Sequence, residues 1–251
     1  GNETWLVLGG GGLMAVFPLA YATVLPALYV PIILMLLGLI FRGVAFEFRF
    51  RTQRWRPLWD WGFALGSMTA AFTQGIALGA LVQGIRIANR QYAGGWWDWL
   101  TPFTVLTGIA LVIAYGLLGA TWLNLKTIGP LRDKARRLAI YAGIGTFVTI
   151  AAVSLWTPFL NPIYFTRWFQ WPTAYFAAIV PLLLAVTAFG LWNGLTTDKH
   201  LQPFLSALGL FVLSFAGLGI SFYPYIVPGA LTIKDAAAPD EIGRASCRER
   251  V

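Results

Sequence analysis

Charged side chains are scarce in this sequence, so the few that stand among apolar neighbours are the first places to look for chemistry. Ahead of residue 241 the acids are Glu3, Glu47, Asp60, Asp98, Asp133, Asp198, Asp235 and Asp240. Most of them fall in stretches that read as loops. Glu3 and Glu47 stand near helix ends in apolar surroundings, and Glu47 lies inside FRGVAFEFRFR, residues 41–51. An acid in a low-dielectric setting holds its proton more tightly and can pass it on. The same segment offers a plainer role. Glu47 and Arg51 are four residues apart, so a helix through this stretch would pair them on its surface for about 0.3–0.5 kcal/mol. On these residues alone both readings stand: a proton-carrying acid at a membrane edge, or half of a surface ion pair.

Other chemistry finds little support. There is one cysteine, Cys247, and one histidine, His200, so neither an internal disulfide nor a cysteine metal cluster can form. Haem iron takes axial His, Met or Cys, but His200 stands in the polar stretch TTDKHLQ. Met14, Met35 and Met68 are isolated in apolar runs, where methionine usually packs. No HExxH motif or carboxylate cluster points to another metal. The run of four glycines at 9–12 lacks the preceding strand and the following Lys-Ser or Lys-Thr of a phosphate loop. Inside an apolar helix it predicts a flexible or closely packed segment.

The elements that must hold these residues are apolar and long. Of the 251 residues, 58% are hydrophobic and 11% charged, about half the charged share of soluble domains. The apolar runs are continuous and not alternating, which predicts an all-α, polytopic membrane helix bundle. Seven spans of about 20 residues are expected, over 4–24, 28–47, 60–85, 102–125, 137–158, 173–195 and 203–223. Pro102, Pro172 and Pro203 sit near helix starts, where the missing N–H costs little. Gly62, Gly66 and Ala70 recur every fourth residue with Gln74 next in the row, and Gly75 and Gly79 form a second pair. Such rows let helix backbones approach closely.

The net charge of +8 reads as a topology signal and not as a nucleic-acid surface. Of the fifteen Lys and Arg residues before 240, eleven lie in the segments around 42–59, 126–138 and 199. The positive-inside bias places those segments in the cytoplasm. The opposite side carries Trp96, Trp97, Trp99, Trp168 and Trp171, rings that favour the headgroup region.

Three blocks then resemble one family. GNETWLVLGGGGLMAVFPLAYA, LYVPIILMLLGLIFRGVAFEFR and WDWGFALGSMTAAFTQGIALGALVQG are similar to subunit II of cytochrome bd quinol oxidase, including its cyanide-insensitive relatives. GATWLNLKT at 119–127 and YPYIVPGALTIKDAAAP at 223–239 extend the likeness. The resemblance implies a nine-helix subunit that pairs with a haem-bearing subunit I. That partner would hold haems b558, b595 and d, oxidise quinol and reduce dioxygen to water, building a proton gradient in the bacterial inner membrane. It implies that Glu47 lies on a path for cytoplasmic protons, with Asn2, Glu3 and Trp5 beside it, and that some members carry a structural quinone in subunit II. No metal ligand is expected from this chain itself.

Two alternatives remain open: a secondary transporter, and a purely structural membrane scaffold. Transporters place ionisable groups or broken helices at mid-depth, and none of the seven expected spans carries a charge there. Residues 1–240 are expected to form a single membrane domain, lacking the family's first and last helices. The eleven residues EIGRASCRERV, 241–251, are expected to be a translated sequencing adapter.

Overall fold

The computed structural model describes residues 2–238 apart from 53, 172 and 198; the side chains of 2, 3, 173, 176 and 177, and the whole of 241–251, lie outside that description. The chain is an all-α bundle with two small hairpins at one end. It opens with α1 (Asn2–Val16) and α2 (Pro18–Ala27), followed by α3 (Tyr29–Arg51) and α4 (Arg56–Gln83). A hairpin of β1 (Ile87–Ala88) and β2 (Gln91–Tyr92) leads to α5 (Pro102–Lys126) and α6 (Pro130–Leu160). The short α7 (Pro162–Phe169) precedes α8 (Thr173–Thr196) and α9 (Gln202–Phe222). A second hairpin, β3 (Tyr225–Val227) with β4 (Leu231–Thr232), and the single turn α10 (Ile233–Ala236) close the described chain.

Six of these helices are long and apolar enough to cross a membrane: α3, α4, α5, α6, α9 and residues 178–196 of α8. The first expected span, 4–24, is not one helix. It divides at Phe17 into α1 and α2, each too short to span alone. Pro18 is the physical reason, since its ring pushes the preceding residue out of the helical region and it has no N–H to donate. Phe17 accordingly takes φ −131°, ψ 64°. The helix starts behave as expected where they are described. Pro102 follows Thr101, whose hydroxyl accepts from the Thr104 N–H at 3.2 Å while the Thr104 hydroxyl accepts from the Thr101 N–H at 2.9 Å. These two bonds satisfy donors that the first turn would otherwise leave open.

Successive helices pack side by side through their small residues. Cβ atoms placed on Gly38 and Gly66 would come within 2.8 Å and 2.7 Å of each other's carbonyl oxygens, so α3 and α4 touch backbone to backbone. A Cβ on Gly75 would meet the Thr107 carbonyl oxygen at 2.6 Å, which locks α4 onto α5 in the same way. Gln74 accepts a hydrogen bond from the Tyr115 hydroxyl at 2.9 Å across that seam, a helix-to-helix contact. The core of the second half gathers Leu117, Ala139, Leu191, Ala207 and Leu210 from α5, α6, α8 and α9. Outward residues such as Leu182, Val186 and Phe189 are exposed in the isolated chain, as lipid-facing positions are.

α2 belongs to a cap at the end of the bundle opposite the α3–α4 turn. Its Ala20 and Ala27 pack with Ile85, Val227, Leu231 and Ala236. Distant side chains also close the helix ends, whose last carbonyls have no partner within the helix. Tyr164 of α7 is fully buried and donates to the Val82 carbonyl in the last turn of α4 at 2.7 Å. Arg167 donates to the Ser221 carbonyl of α9 at 3.1 Å. At the other end of the bundle Arg136 donates to the carbonyls of Leu195 and Thr196, ending α8, at 2.5 and 3.0 Å.

Burial raises the pKa of the Tyr164 phenol, against a smaller opposing pull from Arg167. A folded-state value above the unfolded one of about 10 fixes the sign. The stabilisation is complete below about pH 10 and is lost as pH rises beyond it, where the unfolded chain ionises first. Tyr164→Phe should cost about 1–3 kcal/mol at neutral pH, by leaving a buried carbonyl without its donor. It should also flatten the alkaline decline in stability. Thermal midpoints measured across pH on the full-length protein check both parts.

Candidate functional site at the α3–α4 turn

The candidate site is built on two helix ends that the glycine contact holds together. α3 ends at Arg51 and α4 begins at Arg56. Ala45 is buried one turn above, where a Cβ on Gly62 would rest against it at 3.6 Å. Small residues on this face keep the two helices close, so side chains just beyond the contact are brought across from each other. Phe48 stacks on Trp59, with ring centres 5.2 Å apart and 24° between planes. Arg49 pairs with Asp60 across the turn and also lies over the Phe50 ring at 5.6 Å.

Glu47 is on the outer side of this arrangement. Its carboxylate accepts from the Arg51 guanidinium at 2.9 Å, the i, i+4 pairing that the spacing predicts. The chain itself does not bury Glu47, whose side chain is 62% exposed. Of the expected neighbours, Asn2 opens α1 and Glu3 follows it, but their side chains lie outside the described residues. Trp5 is exposed, and no hydrogen bond, ion pair or ring contact joins it to Glu47. The substantial contacts of α1 are with α2. The four glycines of α1 are helical, and a Cβ on any of them would meet nothing within 4 Å. The close packing expected around them is therefore not supplied by the described residues.

Asp60, the first residue of the expected span 60–85, is the member of the site to which the sequence reading gave no role. The signal was present in the glycine row. If α3 and α4 meet at Gly66, residues near the end of one helix must face residues near the start of the other, and Arg49 and Asp60 are such a pair.

Among the described residues no three His, Cys, Asp or Glu side chains come together as metal ligands would. His200 is exposed beside the α8–α9 turn. Met14 and Met68 are both exposed, on α1 and α4.

The sequence profile of the family described as cytochrome bd terminal oxidase subunit II matches residues 1–246. The chain belongs to that family. It is 36% identical over 163 residues to cytochrome bd-I ubiquinol oxidase subunit 2 of Escherichia coli strain K12, an alignment covering 62% of this chain and 43% of that protein. It is 32% identical over 160 residues to cytochrome bd ubiquinol oxidase subunit 2 of Bacillus subtilis strain 168, covering 60% and 47%. The matched stretches thus span less than half the length of these relatives. The bd oxidase structure from Geobacillus thermodenitrificans superposes with a TM-score of 0.71 over 88% of this chain and 67% of that one, at 17% identity. That likeness shows a shared fold. The family match and the six spans among the described residues make the chain a multi-pass membrane protein of the subunit II type.

Proposed function

We propose that the chain serves as subunit II of a quinol:dioxygen oxidoreductase in the bacterial inner membrane. In this reading a haem-bearing subunit I oxidises quinol and reduces dioxygen to water. This chain scaffolds that partner and opens a cytoplasmic proton path at Glu47, with Asn2, Glu3 and Trp5 as its neighbours. The observation that carries the reading is the family match over nearly the whole chain, joined to an acid at the basic end of α3.

In this reading haems b558, b595 and d take their iron ligands from the partner, and among the described residues the cleft between α5, α6, α8 and α9 is lined by no His, Met or Cys. A structural quinone is compatible with a membrane bundle, and no residue is assigned to it. The chain's own chemistry is then positional. The glycine contact fixes the α3–α4 turn, the turn sets Glu47 at the bundle end, and the carboxylate at that point can take up or hand on a proton. The Glu47–Arg51 pair favours a second reading, a purely structural subunit in which Glu47 only anchors Arg51.

Expression of the full-length subunit with the neighbouring reading frame tests the assembly. A tag on this subunit should bring down a haem protein that absorbs in the red, as d-type haem does. A haem-free preparation that retains both polypeptides would overturn the proposal.

A further inference from the structure

The second half of the bundle contains a cleft of about 480 Å³ between α5, α6, α8 and α9, closed at one end by Trp168 and Phe169 of α7. Its lining is largely apolar, and of its seven hydroxyls five are already committed, while those of Ser154 and Ser214 have no hydrogen-bond partner among the described residues. Thr107, Thr146, Thr149 and Thr157 each donate to a carbonyl of their own helix, at 2.7–2.9 Å. Ser221 donates to the Gly217 carbonyl at 2.8 Å and accepts from the Trp168 indole at 3.0 Å. These five hydroxyls therefore offer no free donor to a ligand. A space of this size and polarity suits a hydrocarbon chain better than water, which needs two to four polar partners.

The cleft is asymmetric along the bundle. One end reaches the middle of the helices, near Ala114 and Leu184. The other reaches α7, on the side away from the basic loops. There Arg167 donates through one guanidinium nitrogen, Nη1, to the carbonyls of Ser221 and Ile220, both residues of the cleft lining. The remaining guanidinium donors of Arg167 have no partner among the described residues. Trp168 and the exposed Trp171 flank it, ring types that settle at the headgroup level. An apolar slot thus runs from mid-depth to a cation at the interface. The matching ligand has a long apolar chain and an anionic head, and a phosphate can take the open donors of a guanidinium.

We infer that the cleft holds one acyl chain of a membrane phospholipid, from the leaflet facing away from the basic loops, with its phosphate on Arg167. The lipid would fill the space that α8 and α9 leave against α5 and α6, and would tie α7 to the membrane surface.

The test uses the full-length subunit in its complex, reconstituted in phosphatidylglycerol vesicles that carry a diazirine on one acyl chain. After photolysis the labelled peptides are mapped. Labels are expected at Val180 and Pro181 of α8 and at Gly217 and Leu218 of α9. Ser214→Phe, which fills the slot, should lower that labelling about tenfold while leaving the outer face of α3 unchanged. Arg167→Ala should lower it about tenfold as well, the loss expected when one charge-assisted hydrogen bond is removed, and Arg167→Lys should recover part of it. Two results would overturn the inference: labelling in the cleft no higher than on the outer helix faces, or cleft labelling that neither variant lowers. If Arg167→Ala fails to assemble, Ser214→Phe decides alone. An absence of label in the wild-type cleft, as when another protein segment occupies it, also counts against the lipid.

Discussion

Gly66→Leu in the full-length subunit is expected to abolish its accumulation in the membrane. A Cβ at this position would lie 2.7 Å from the Gly38 carbonyl oxygen and 3.1 Å from the Arg42 nitrogen. Both obstacles are backbone atoms in the middle of a helix, so neither can turn aside as a side chain would. The two helices must part along their whole contact. The loss then includes the packing around Gly38 and Ala70 as well as the local clash, and exceeds the about 1–3 kcal/mol typical of an overfilled core. In a bilayer the separation is not opposed by a hydrophobic penalty between helices, since lipid is as apolar as the lost partner. Nothing would therefore drive the pair back together. The neighbouring row position gives the contrast. Gly62→Ala places its Cβ 3.6 Å from the Ala45 Cβ, an ordinary contact, and Gly116→Ala meets nothing within 4 Å. Both should accumulate normally. Membrane levels of the full-length subunit, measured for the three variants, check the ranking. Normal levels for Gly66→Leu would mean that α3 and α4 do not meet where the structure puts them.

That contact also shows how far the sequence could be read. The period of four in Gly62, Gly66 and Ala70 is a local signal, visible in one helix, and it marked the right face of α4. Its partner Gly38 stands alone in α3, and no pattern within α3 distinguishes it from Gly43, whose Cβ would meet nothing. The break in the first expected span was signalled locally by Phe17-Pro18, but hydropathy continues across it, and a window that averages apolar character cannot register one missing N–H. The capping contacts of Tyr164, Arg167 and Arg136 were out of reach for a different reason. Each joins residues 50 or more apart in sequence, and the need they meet is an open carbonyl, which every helix end has. Arg167 shows the cost of reading charge alone. Among the four basic residues on the side away from the basic loops it breaks the topology trend, and the structure supplies its reason at the end of α9. At the candidate site, the Glu47–Arg51 pair followed from spacing, because i, i+4 geometry is a property of any helix. Asp60 beside Arg49 did not, because that pair depends on the register between α3 and α4.

The second large effect is expected from Glu47→Gln. Glutamine keeps the shape and the hydrogen-bonding reach of the side chain but cannot carry the proton. If Glu47 relays protons, quinol-driven dioxygen consumption by the complex should fall tenfold or more, toward the range that loss of a proton-transfer group causes, with haem content and assembly unchanged. A structural role for the same carboxylate predicts something else. The pair with Arg51 is exposed on both sides, 62% for Glu47 and 74% for Arg51. Pairs of this kind contribute about 0.3–0.5 kcal/mol before further loss to screening, too little to change turnover. Arg51→Ala separates the two roles, because it breaks the pair and leaves the acid in place. An anchoring role predicts that the two variants behave alike. A proton role predicts that they differ, with the loss confined to Glu47→Gln and partly recovered by Glu47→Asp, which restores a titratable group on a shorter stem. The exposure of Glu47 sharpens the comparison. A working relay must be shielded from bulk water along its length, and this chain does not shield the carboxylate. The remainder of the full-length subunit or a partner subunit would have to cover it, and the proton reading takes the partner. Glu47 in the assembled complex should therefore be protected from a water-soluble carbodiimide that modifies it in the separated subunit. Equal modification in both states, together with unchanged turnover of Glu47→Gln, would leave the ion pair as its function.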